Sequence, residues 1–240
     1  MTDTTDSLRI ERSSESLRTR TTDVLRKAIS EGQLAAGSRL VERELCDMTG
    51  VSRTIIRESL SHLEAEGLVR ILPNKGPIVA TLTIDQVRQI YEVREALEPF
   101  VAKLFVLHAD DQALQQVRKA YDQMKAAFDE KDVHQITIRA RALFALIREN
   151  SGNEFICQFL GRLSTRVDGL RETSMSQKGR LPKSLQEMKA IVTALERRDS
   201  AAAVASSTAH VRAAAAAAIE VLSEAKPAQQ AAPTRRKNNG

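Results

Sequence analysis

Residues 52–80 read Ser-Arg-Thr-Ile-Ile-Arg-Glu-Ser-Leu-Ser-His-Leu-Glu-Ala-Glu-Gly-Leu-Val-Arg-Ile-Leu-Pro-Asn-Lys-Gly-Pro-Ile-Val-Ala, and this stretch decides the fold. Ser52 carries the hydroxyl an N-cap needs, and Gly67 can take the left-handed conformation beyond a helix end, so a helix is predicted between them. Ile56, Leu60 and Leu63 fall at i, i+4 and i+7 and form a buried stripe, while Arg53, Arg57 and Ser61 share the opposite face. Two β-branched runs about Pro73-Asn74-Lys75-Gly76 predict a short hairpin.

Working outward, Val41 to Val51 supplies a short helix with Leu45 and Met48 at i, i+3, and Gly50 turns directly into the capped helix. That spacing is the one a helix-turn-helix requires, and the hairpin adds a wing. In such a module the N-terminal residues of the second helix reach base edges in the major groove, so double-stranded DNA is the implied partner. A plain surface helix followed by a hairpin would share part of the pattern but not the preceding helix and turn. A first helix is expected over Ser16–Glu31, with Leu17, Val24, Leu25, Ala28 and Ile29 inward and Gly32 ending it. The DNA-binding module is thus read as 16–82, after a disordered arm over 1–15.

Beyond Thr83 the periodicity is helical throughout. Thr83-Ile84-Asp85-Gln86 fits a capping box, followed by a helix holding Pro99, where a kink is expected. Further helices are predicted over 111–129, 133–149, 154–171, 182–198 and 200–224, with a polar loop over 172–180. No strand pattern interrupts them. The fold class is therefore mostly α: a winged helix-turn-helix of three helices and a hairpin, then an all-α bundle over 83–224. The Pro-, Gln- and Ala-containing stretch 225–240, with Arg235-Arg236-Lys237, is expected to be disordered.

The chain has 240 residues and a formal charge of +5, which suits a polyanionic partner without requiring one. Aromatics make up 3% with no Trp, favouring aliphatic helix packing over a large sheet. Cys46 and Cys157 sit in apolar helical patterns, giving no disulfide framework. With no leader or membrane-spanning run, a cytoplasmic location is expected. No P-loop, nucleophile elbow, zinc-protease or dinucleotide motif appears, so an enzyme is not expected.

The run Gly37-Ser38-Arg39-Leu40, Glu42-Arg43-Glu44-Leu45, Gly50-Val51-Ser52-Arg53-Thr54, Arg57-Glu58 and Leu63-Glu64-Ala65-Glu66-Gly67-Leu68-Val69 resembles the GntR family of bacterial transcription regulators. Arg94 to Pro99, Asn150 to Asn153, Leu195 to Ala203 and His210 resemble the effector domain of its FCD branch. The resemblance implies a homodimer on a palindromic operator, released or rearranged by a small-molecule effector. By motif position it implies DNA contacts from Arg43, Ser52, Arg53, Thr54 and Arg57, with Asn74, Lys75 and Gly76 at the wing tip. Arginines there can fork to guanine or phosphate, hydroxyls can donate to phosphate, and Gly76 permits close backbone approach.

The same resemblance implies a divalent metal held by an Asp, a His four residues later and two further His. Aligned back from Asn153, this chain has Ala140 and Phe144 at the first two places and Met188 at the third, leaving His210 alone. One imidazole cannot hold a first-row divalent ion usefully, so no metal and no cofactor are expected. The cavity becomes apolar instead, with His210 either contacting effector or simply satisfied within its helix. Arg94 is the expected anchor for an effector carboxylate, or else a structural partner of Glu98 one turn on. Arg141 and Arg166 are further candidates. The expected function is an effector-controlled regulator, most simply a repressor, with an organic acid as ligand. The alternative is an effector-independent dimeric DNA-binding protein whose second domain only dimerises.

Overall fold

The structure, a computed structural model, describes residues 13–230 apart from 176 and 178; for residues 13–16, 164, 165, 167–173 and 225–230 it describes backbone only. Helices account for nearly all the regular structure, and internal contacts divide the chain between Thr81 and Leu82.

The first unit contains α1 (Ser13–Ser30), α2 (Glu42–Thr49), α3 (Arg53–Ala65) and the antiparallel strands β1 (Val69–Leu72) and β2 (Gly76–Val79). Ser52 caps α3 by accepting from the Ile55 amide. Gly67, at φ 70°, closes its far end, its amide donating to Glu64 O and that of Leu68 to Leu63 O, both at 2.8 Å. Register pairs Val69 with Val79 and Leu72 with Gly76. One addition escaped the periodicity: Arg39 bridges Ile78, laying the chain before α2 along the hairpin. Leu25, Leu40, Leu45, Ile56, Leu60, Leu63, Leu68, Val69 and Val79 form the core.

Three side chains expected inside this unit lie outside. Met48 is 69% exposed, because the short α2 packs on the core through Leu45 and, in part, Cys46. Leu17 and Val24 are also exposed, and the inward stripe of α1 runs instead through Thr21, Thr22 and Leu25. Both threonine hydroxyls donate to carbonyls of their own helix, at Leu17 and Arg18, which lets them be buried without an unmet donor.

The second unit contains α4 (Ile84–His108), α5 (Asp111–Asp129), α6 (Val133–Glu149), α7 (Glu154–Met175), α8 (Arg180–Glu196) and α9 (Ser200–Gln230). The capping box of α4 forms in both directions, Thr83 to Gln86 and back, and the helix continues past buried Pro99. Val87 and Tyr91 pack onto Val211, Ala214 and Ala218 of α9, where small side chains allow close approach. A larger core gathers α4 to α8 around Phe105, Val117, Met124, Ile136, Leu143, Met188 and Leu195.

The expected 172–180 loop is shorter than the sequence suggested, since α7 reaches Met175 and α8 starts at Arg180. Ser174 and Met175 are buried, and Thr137 of α6 donates to the Met175 sulfur, so tertiary packing carries the helix through polar sequence. Pro182 falls in the first turn of α8, where its missing N–H has no helical acceptor to lose. Likewise α9 extends to Gln230, past the Glu224 boundary read from the sequence. Residues 1–12 and 231–240, most of the expected arm and tail, lie outside the described residues.

Candidate functional site

Two groupings of side chains carry chemistry, one in each unit. In the first, Ser52, Arg53, Thr54 and Arg57 at the start of α3 are all exposed, as is Arg43 on α2. Helix geometry puts Arg53 and Arg57 one turn apart on an exposed side of α3 that flanks, rather than opposes, the buried stripe of Ile56, Leu60 and Leu63. The Arg57 Nε donates to Glu42 Oε1 at 2.8 Å, tying the recognition helix to the start of α2. At the hairpin tip Asn74 (φ 61°) and Gly76 (φ 77°) both take left-handed backbone, which explains the glycine at a position with open space around it. Lys75 between them is exposed.

The second grouping lies inside the bundle. Arg94, Ala140, Phe144, Met188 and His210, from α4, α6, α8 and α9, all line one cavity. Arg141 and Arg166 do not line it. Arg141 is half-buried one residue past Ala140, and consecutive helical residues point about 100° apart. Arg166 is half-buried on α7.

Sequence reasoning missed two residues that organise this site, Arg180 and Glu187. The Arg180 guanidinium forks onto both Glu187 oxygens at 2.8 and 2.9 Å, and His210 Nδ1 lies 2.8 Å from Glu187 Oε2. Their separation on α8 is two helical turns, a signal hidden because the polar sequence reads as a loop through Arg180. Burial disfavours the charged form of Glu187, but the hydrogen bonds from His210 and Arg180 prevail and hold its carboxyl below the ordinary range. Burial also lowers the His210 pKa, against the pull of Glu187 and helped by the positive charge of Arg94. Both shifts fit a neutral imidazole whose Nδ1–H donates to an ionised carboxylate, leaving Nε2 as an acceptor. The Phe144 ring stacks on this imidazole at 5.4 Å.

Arg94, 2% exposed, is both inward-facing and paired. Its Nε and Nη2 donate to the two Glu98 oxygens at 2.6 and 3.2 Å, and its Cζ sits 4.7 Å over the Tyr91 ring. Burial opposes its charge, but the Glu98 carboxylate outweighs that and the group stays protonated. Its remaining nitrogen, Nη1, is buried with no hydrogen-bond partner among the described residues.

The donor set does not fit a divalent metal. Around His210 the cavity offers Ala140, Phe144 and Met188, while the Glu187 carboxylate is taken up by Arg180. No group of three or more His, Cys, Asp or Glu side chains is poised for an ion among the described residues. Nor is any described helix long and apolar enough to cross a membrane.

Comparison with known proteins places this geometry. Residues 17–79 match the gntR family of bacterial regulatory proteins, and residues 89–213 match the FCD domain. An uncharacterized HTH-type transcriptional regulator in the TAR-I ttuE-ttuC' intergenic region of Agrobacterium vitis is 36% identical over 112 residues, 45% of this chain and 66% of that protein. The HTH-type transcriptional repressor RspR of Escherichia coli is 25% identical over 189 residues, 79% of this chain and 83% of its own length. The solved structure of McbR/YncC from Escherichia coli superposes with a TM-score of 0.72 at 22% identity, over 89% of this chain and 98% of that one, and so shares the fold. These families are DNA-binding regulators with a small-molecule-binding domain, not enzymes. The chain belongs to the GntR family of bacterial transcription regulators, in the branch that carries an FCD domain.

Proposed function

We propose that this chain is a homodimeric repressor that binds a palindromic operator and is controlled by an organic carboxylate held in the bundle. The observation that carries the DNA half is the exposed Ser52, Arg53, Thr54 and Arg57 at the start of a capped helix, with exposed Arg43 on the helix before it and a wing tipped by Asn74, Lys75 and Gly76 after it. Repression is favoured by relatives such as RspR and the gluconate operon repressor of Bacillus licheniformis, 26% identical over 168 residues. Dimerisation is favoured by large apolar side chains left exposed on α4 and α7, two helices in contact. Phe100 and Leu107 of α4 and Phe155 and Phe159 of α7 are exposed, Phe155 to 86%. Exposed apolar side chains that gather into a patch mark association surfaces.

The carboxylate reading rests on Arg94, whose buried Nη1 has no hydrogen-bond partner among the described residues, and on His210, which lines the same cavity. Phe144 borders both this cavity and a second one lined by Val101, Ala102, Ile147 and Ile191 together with Glu98, Arg148 and Ser207. An anion at Arg94 with an apolar body displacing Phe144 suits both sets of walls. Each cavity is only about 20 Å³, room for about one water, so the effector-independent reading also has an observation behind it.

One experiment addresses the DNA half. Selection of duplexes from a random library should yield a palindrome whose half-sites lie about one helical turn apart. Arg53→Ala/Arg57→Ala should lose that binding; affinity within a few-fold of wild type would overturn the assignment. Thermal shift against a panel of aliphatic and aromatic carboxylates addresses the other half, and a flat response throughout favours the effector-independent reading.

A further inference from the structure

The geometry points to Glu42 as a specificity-setting residue of the DNA interface, acting through Arg57; this rests on the operator-binding reading above. Glu42 opens α2, and its carboxylate accepts from Arg57 Nε at 2.8 Å. The pair is exposed, with 68% of the Arg57 side chain and 29% of the Glu42 side chain accessible. Exposed ion pairs add little to stability, so cohesion between α2 and α3 is a weak account of it.

A carboxylate here is costly for a surface meant to meet phosphates. It lies within reach of the charges of Arg57 and Arg53, and its pKa is lowered, first by the Arg57 hydrogen bond and then by those charges. Glu42 therefore stays ionised and repels a duplex approaching in any register. What it supplies in return is orientation. An unpaired arginine has four free side-chain torsions and meets phosphates and bases alike. Held at Nε, the planar guanidinium is biased toward one orientation, and its two Nη groups have no partner among the described residues. A parallel pair of N–H donors on a plane so oriented matches the O6 and N7 acceptors of guanine in the major groove. Glu42 thus trades general affinity for discrimination at one base pair in each half-site.

Duplex selection from a random library with full-length wild type and E42A tests this. Wild type should enrich a palindrome, and E42A the same palindrome with one position per half-site relaxed. E42A should bind random duplex more tightly, and its ratio of operator to random affinity should fall about tenfold, the order of one bidentate base contact. In an R57A background, E42A should change nothing further at that position, while its melting temperature stays close to the parent's. An unchanged motif and ratio in E42A would overturn the role, as would an equal E42A effect with and without Arg57. A wild-type chain that enriches no motif would instead remove the operator-binding reading, and this role with it.

Discussion

His210 Nδ1 and Glu187 Oε2 lie 2.8 Å apart, joining α9 to α8 at a point where burial keeps the imidazole neutral. The consequence for stability follows from linkage. A histidine whose folded pKa lies below the ordinary value of 6.5 is harder to protonate folded than unfolded, so its contribution is complete above about pH 6.5 and erodes as pH falls. Glu187 is depressed too, and its contribution is complete above its ordinary 4.5 and lost below that. The melting temperature should therefore drop from pH 7 to pH 5, and His210→Asn should flatten that interval while leaving the steeper loss below pH 4.5.

Breaking the Arg180–Glu187 pair should show strong non-additivity. Glu187→Leu leaves the Arg180 guanidinium, 8% exposed, without its carboxylate and His210 Nδ1 without its acceptor, and should cost about 3–5 kcal/mol. Adding Arg180→Met should recover part of that loss, since two apolar side chains need no mutual neutralisation. Denaturant midpoints for the two single variants and the double variant measure the coupling directly.

Lys75 sits exposed at the wing tip between two left-handed residues, a place suited to a phosphate or minor-groove contact. Lys75→Ala should weaken binding to all duplexes similarly and reduce the salt slope of log affinity by about one unit. An unchanged slope would leave Lys75 as a solvated side chain.

Ligand response should not depend on metal. Protein purified without added metal should hold no stoichiometric transition metal, and chelator should leave its melting temperature and its carboxylate response unchanged. Arg94→Met should abolish the response. Stoichiometric zinc or nickel by elemental analysis, with melting sensitive to chelator, would contradict this.

Phe155 and Phe159, one turn apart on α7, test the dimer. Phe155→Glu/Phe159→Glu should yield a monomer by light scattering with its helical content intact and its operator affinity sharply reduced. A dimer of unchanged affinity would move the association surface elsewhere.

Much of this architecture was legible because its signals are local. Ser52, Gly67 and the Thr83–Gln86 box mark helix ends through hydrogen bonds within four residues, and the Ile56–Leu60–Leu63 stripe sets which side of α3 is free. Five of seven residues named for the bundle site line one cavity because each sits on the inward stripe of its own helix. What stayed hidden depends on neighbours distant in sequence. Met175 continues α7 through contact with Thr137, and Arg180 is buried only because Glu187 turns the same way two turns later. The Thr21 and Thr22 stripe was missed for a related reason: a hydroxyl satisfied by its own helix can behave as an apolar group.

The small cavity beside Arg94 has a kinetic corollary. With room for about one water, it admits no organic acid until a lining side chain such as Phe144 or Met188 moves. An effector that enters there would then bind at a rate limited by opening. Its observed association rate would level off with concentration instead of rising in proportion, and its apparent affinity would be reduced by the fraction of time the cavity stands open. Stopped-flow traces that saturate would mark such a gate, and thinning it with Phe144→Ala would speed entry without any change at the arginine.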